Sequence, residues 1–141
     1  MSDAEEARPG PTWSPAGVGT DLVEIERLRA ALARHPGLRT RLFTDREWEY
    51  AARHRDPLPH LAARFAAKES VMKALGRGMD AMGFAEIEVV RDDRGVPGIE
   101  LTGRARALAS ASGVSGWQLS LTHTASLAQS VAIALAEPLP R

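Results

Sequence analysis

The sequence predicts an α+β domain, a mostly antiparallel sheet packed with helices. Three observations carry that reading. A helix pattern opened by Asp56 and Pro57 runs to Leu75 and stops before Gly76, a usual C-terminal signal. Two short strand-like runs, 86–91 and 98–101, flank the turn Asp92-Asp93-Arg94-Gly95. Two alternating runs, 116–124 and 127–136, are close enough to pair as a hairpin.

The other elements follow in order. Gly17 to Val23 is a short strand. Glu24 to Arg34 carries Ile25, Leu28 and Leu32 at helical spacing and ends at Pro36-Gly37. Thr44 and Glu47 form the T-x-x-E of a capping box, opening a short helix to about His54. Gly76 to Phe84 is a loop, and Thr102 to Ser112 is a helix stopped by Gly113. The last strand has two unlike faces: Leu127, Gln129, Val131, Ile133 and Leu135 on one, Ala128, Ser130, Ala132, Ala134 and Ala136 on the other. Such a strand is expected to be covered on both faces, the small one by a helix or another subunit.

With 141 residues the chain has one domain's worth of core. Five of the nine prolines lie in the first 15 or last 4 residues. Residues 1–16 are therefore expected to be a disordered extension, 17–137 the folded domain and 138–141 a tail. Basic and acidic residues number 18 each, so no global field attracts nucleic acid or an anionic membrane. The absence of cysteine excludes disulfides, thiol nucleophiles and Cys-ligated zinc. With no apolar run of membrane length and no secretory pattern at the start, the expected location is cytoplasmic. GVGTDL lacks the third glycine of a dinucleotide fingerprint, and no phosphate-binding G-x-x-x-x-G-K-[ST] occurs.

Four features could carry chemistry. On the long helix, at about 100° per residue, Glu69 falls about 40° from Phe65, inside the apolar stripe of Leu58, Leu61, Ala62 and Met72, with Lys73 on its border. A carboxylate there needs a partner: Lys73 one turn on, in an ordinary i,i+4 pair, or a metal ion. Asp21 lies among Val18, Leu22 and Val23, either as a cap for the next helix or as a second site carboxylate. His123 ends the apolar face of Trp117, Leu119 and Leu121, as a core residue or a functional one. His54 and His60 read as exposed loop residues. Finally, residues 27–44 hold five arginines and no acid, a solvated face or a dock for an acidic surface. Two carboxylates plus waters and phosphate oxygens suit magnesium, which points to phosphoryl chemistry.

Three segments, GVGTDLVEIER (17–27), RFAAKESVMKALG (64–76) and SLTHT (120–124), in this order and spacing, resemble the small holo-acyl-carrier-protein synthases, the single-domain 4′-phosphopantetheinyl transferases. The resemblance covers about residues 17–136. It implies that fold, a homotrimer with active sites between subunits, and transfer of the 4′-phosphopantetheine arm of coenzyme A to a serine of apo acyl carrier protein, releasing adenosine 3′,5′-bisphosphate. The carrier would serve fatty-acid or polyketide assembly. By the same resemblance Asp21 and Glu69 are magnesium ligands, and Glu69 or a water it holds takes the serine proton. Lys73 sits beside the phosphates. His123, with Thr124 after it, lines the coenzyme cleft, and Gly76 and Gly78 form the glycine loop. Arg27 and Arg34 face the carrier's acidic helix. Two other readings use the same residues: a magnesium-dependent hydrolase of a nucleotide or coenzyme pyrophosphate, and a non-catalytic trimeric binding module. Ser70, where the family often has alanine, is expected to face away from the site without consequence.

Overall fold

The computed structural model describes residues 12–137. In chain order the elements are β1 (Ser14–Glu24), α1 (Ile25–Arg34), α2 (Leu38–Leu42), α3 (Asp45–Ala52), α4 (Leu58–Leu75), a 3₁₀ turn (Phe84–Glu86), β2 (Ile87–Arg91), β3 (Pro97–Leu101), α5 (Gly103–Ala111), β4 (Gly116–His123) and β5 (Leu127–Ala136). One antiparallel sheet has the order β1-β5-β4, and β2 with β3 forms a separate antiparallel hairpin. The α+β expectation is met.

Helix α4 lies across one face of the larger sheet because that face is built from small residues. Ala128, Ser130, Ala132 and Ala134 of β5 are buried under it. Gly17 and Gly19 of β1 face the same way. A Cβ at Gly19 would lie 1.8 Å from the carbonyl oxygen of Ser70, and one at Gly17 2.1 Å from that of Ala74. Only a residue without a side chain lets the strand approach the helix backbone this closely.

The remaining sides of α4 are covered by α1, α3 and β2, so the helix is buried nearly all round. The single apolar stripe expected from the sequence is therefore half of the picture. Arg64 and Lys68 are buried on a second side, and Ser70 on a third, against the sheet. Ser70 corrects the expectation of no consequence: its hydroxyl is fully buried and hydrogen-bonded to the Ser130 hydroxyl of β5. The seam it occupies between helix and sheet accepts a polar group only when that group is satisfied.

Several boundaries differ from the sequence reading. Strand β1 begins at Ser14, paired with Ala136, so residues 14–16 belong to the sheet and not to an extension. Residues 1–11 and 138–141, expected to be disordered or tail, lie outside the described residues. The short α2 was not expected; its turn is anchored by buried Leu42. The Thr44–Glu47 capping box is present as expected. The small face of β5 is the one covered by the helix. On the bulky face no other element of the described chain covers Val18 and Leu22, which are 66% and 60% exposed beside exposed Val131.

Candidate active site

Alternation along β1 decides where Asp21 points. Gly17, Gly19, Asp21 and Val23 share the face toward α4, while Val18 and Leu22 face away. The glycines bring the strand onto the helix, and the next inward residue is the carboxylate. There Lys73 Nζ donates to Asp21 Oδ1 at 3.1 Å and to the Thr20 carbonyl at 2.9 Å. Asp21 is thus neither a helix cap, since Glu24 occupies the N-cap of α1, nor an isolated strand acid. Lys73 pairs across to the strand; the i,i+4 pair with Glu69 is not formed.

Glu69, one turn before Lys73, is half-buried at the mouth of the same groove as Asp21. Burial pushes its carboxyl above the ordinary glutamate range, the Asp21 charge pushes it further, and Lys73 opposes both. The groove is about 590 Å³ in volume, with Leu28, Leu42, Phe65 and Phe84 as apolar wall and Arg27 and Arg41 among its lining residues. Two carboxylates supply two hard oxygen donors, which fits magnesium because that ion completes its shell with water and phosphate oxygens. Glu24 also lines the groove, but among the described residues no third acid, histidine or cysteine forms a metal-holding group with them.

The arginines separate into engaged and free. Arg29 is held by both carboxylate oxygens of Asp56, at 3.1 and 2.7 Å, and by Glu26. Arg39 stacks on Trp48 with its guanidinium 3.8 Å from the ring centre. Arg27, Arg34 and Arg41 are exposed, and Arg41 is a groove residue that the sequence reading did not single out. Its signal was there, in the same acid-free run as Arg27.

His123 lies elsewhere. It is exposed at the end of β4, and its ring meets His60 edge-on at 5.7 Å. His60 is corrected from exposed loop residue to half-buried member of α4, stacked on His54 at 3.6 Å. Burial, followed by His54, Arg64, His123 and Arg91, pulls the His60 imidazole down to about 4. Below it Arg64 is buried against Tyr50, guanidinium 4.0 Å from the ring centre, with its Nε unpartnered. His60 and Glu69 are nine residues apart on one helix, roughly 13–14 Å along its axis. Within one chain, then, His123 is not brought to the Asp21–Glu69 site.

The remaining expected residues are placed as follows. Gly76 has φ +67° and ends α4 in the left-handed conformation, which explains the glycine without any ligand. Gly78 lies in the exposed loop beyond, with the Asp80 carboxylate 3.4 Å from where its Cβ would be. The Thr124 hydroxyl accepts from the amides of Ser126 and Leu127 and so ties the β4–β5 turn.

Sequence reasoning also missed the pair Glu47–Lys68, both fully buried. Lys68 Nζ donates to Glu47 Oε1 at 2.6 Å and to the carbonyls of Phe84 and Ile87 at 3.0 and 2.7 Å. Glu47 also accepts from the amides of Thr44 and Val89. The helical wheel that singled out Glu69 puts Lys68 about 60° to the other side of Phe65, so a legible signal went unused.

Fold and site define a class: a small α+β domain whose central helix carries an acid and a lysine to a third charge on the edge strand. The model of the 4′-phosphopantetheinyl transferase superfamily matches residues 17–136. The holo-[acyl-carrier-protein] synthase of Moorella thermoacetica is 47% identical over 116 residues, 82% of this chain and 90% of that one. That of Caldanaerobacter subterraneus subsp. tengcongensis is 42% identical over 118 residues, 84% and 93% of the two chains. A solved complex of the Chronobacterium ammoniagenes synthase with coenzyme A superposes at TM-score 0.76 with 29% identity, covering 91% of this chain and 99% of that one. The chain belongs to the 4′-phosphopantetheinyl transferase superfamily, among the holo-[acyl-carrier-protein] synthases, and is a transferase.

Proposed function

We propose that this chain transfers the 4′-phosphopantetheine arm of coenzyme A to a serine hydroxyl of an apo acyl carrier protein, with Asp21 and Glu69 holding magnesium. The observation that carries the reading is the meeting of Asp21 and Lys73, remote in sequence, beside Glu69 at a groove edged by Arg27. The serine oxygen attacks the phosphorus of the pantetheine phosphate. The bond from that phosphorus to the oxygen bridging the two phosphates breaks, and adenosine 3′,5′-bisphosphate leaves with the bridging oxygen. Glu69, or a water it holds, takes the serine proton; a carboxylate that holds a cation is a poor base at neutral pH, so the water is the easier acceptor. The Lys73 ammonium steadies the negative charge growing on the leaving phosphate. Asp21 and Glu69 would hold the metal, which when bound would act as a Lewis acid and offset that charge.

Two features support a homotrimer with sites between subunits. The outer face of β1 and β5 exposes Val18, Leu22 and Val131. His123 and the acids lie apart along α4 within one chain, which favours a coenzyme cleft completed by a second copy. Arg27 and Arg34 are free to meet an acidic helix of the carrier. The cytoplasmic location expected above is part of the same proposal, and no helix among the described residues is long and apolar enough to cross a membrane.

The test is intact mass. Apo acyl carrier protein incubated with the chain, coenzyme A and magnesium should gain one phosphopantetheine arm. Cleavage of coenzyme A without that gain would establish a hydrolase instead. The variant Arg34→Glu, outside the groove lining, should raise the apparent KM for the carrier about threefold or more and weaken its salt dependence, while leaving the KM for coenzyme A unchanged.

A further inference from the structure

Resting on the function just proposed, we propose that Lys73 competes with the divalent cation for Asp21, so that the cation and the coenzyme diphosphate enter together. The lysine ammonium sits directly on Asp21 Oδ1, at 3.1 Å, and is held there by the Thr20 carbonyl at 2.9 Å. A metal ion taking that oxygen would meet a like charge at contact distance, so the ammonium must first move off it. Lys73 can move: its side chain is 54% exposed, against 17% for Asp21. The nearby Glu69 carboxylate makes no ion pair with Lys73 and in this reading is the cation's other ligand, so a diphosphate supplies the anion that Lys73 can move to.

A diphosphate resolves the conflict on both sides at once. Its oxygens draw the ammonium from Asp21 and complete the coordination shell of the cation that replaces it. Coenzyme therefore raises metal affinity through Lys73, and by linkage the metal raises coenzyme affinity by the same factor. This makes Lys73 a gate on metal entry as well as a phosphate contact.

The experiment is titration of the full chain with Mn²⁺, read from the electron paramagnetic resonance of the free ion, with and without coenzyme A. Four proteins are compared: wild type, Lys73→Gln, Lys73→Arg and Asp21→Asn. Without coenzyme, Lys73→Gln should bind Mn²⁺ roughly tenfold more tightly than wild type, and Lys73→Arg should stay near wild type. With coenzyme, the advantage of Lys73→Gln should vanish or reverse. Equal Mn²⁺ affinities of wild type and Lys73→Gln without coenzyme would overturn the gate, as would Lys73→Arg matching Lys73→Gln. Asp21→Asn binding Mn²⁺ as tightly as wild type in the presence of coenzyme would instead overturn the metal assignment beneath it.

Discussion

Lys68 and Glu69 are consecutive on α4, yet they belong to regions of opposite electrostatic character. Lys68 is fully buried with every ammonium N–H used, on Glu47, Phe84 and Ile87. Its partner Glu47 is saturated in turn by two backbone amides. Burial lowers the Lys68 ammonium pKa, and Glu47 pulls it back. One residue on, Glu69 is half-buried, faces a like charge, and has its carboxyl pushed up. The first region is a completed network that ties α3, α4 and β2 together. The second has spare charge and open volume beside it. A buried charge whose partners are all present serves stability, whereas one whose partners are missing is positioned to receive a ligand.

The contrast can be broken experimentally, starting with the largest effect. Glu69→Ala or Asp21→Ala should reduce transfer, read by carrier mass, by about a thousandfold or more while the melting temperature changes little. Lys68→Met should do the reverse. It leaves Glu47 buried and unpaired and should cost about 3–5 kcal/mol in urea unfolding at fixed protein concentration, and the double variant Glu47→Gln, Lys68→Met should recover part of that loss.

Gly19→Ala tests what joins the two regions. Its Cβ would lie 1.8 Å from the Ser70 carbonyl, so β1 must lift from α4 and carry Asp21 with it. The expected cost is about 1–3 kcal/mol of stability, with a loss of turnover exceeding that of Gly37→Ala, where no atom lies within 4 Å of the added group. The smallest effect concerns the histidine cluster. His60 is held near 4 from its usual 6.5, so the unfolded chain takes its proton first as pH falls. Its contribution to stability is whole above pH 6.5 and is lost between 6.5 and 4, and His60→Asn should flatten that part of a melting-temperature profile.

Much of the fold was legible because its signals are local. The Thr44–Glu47 cap, the Asp92–Gly95 turn, the Gly76 stop and the alternation of β5 each depend on a few neighbouring residues. The misread features depend on distant neighbours. Ser70 faces away from the site as expected but is not without consequence, because a wheel sees one helix and not the sheet behind it. His60 lies in α4 and not in a loop, and His54, in the loop as expected, is half-buried because the turn between them folds one ring onto the other. Lys68 had its signal, a place near the apolar stripe, but its partners lie in three other elements.

The sequence by itself determined the α+β class, the order of the strands and longer helices, and the candidate acids and lysine, because periodicity, capping and residue chemistry are written within short windows. Only the tertiary structure decided that Lys73 bonds Asp21 and not Glu69, and that His123 stands apart from both. It also decided that a second charged pair closes the core. The first of these outcomes follows from how closely β1 can approach α4, a distance set by two glycines against two helix carbonyls.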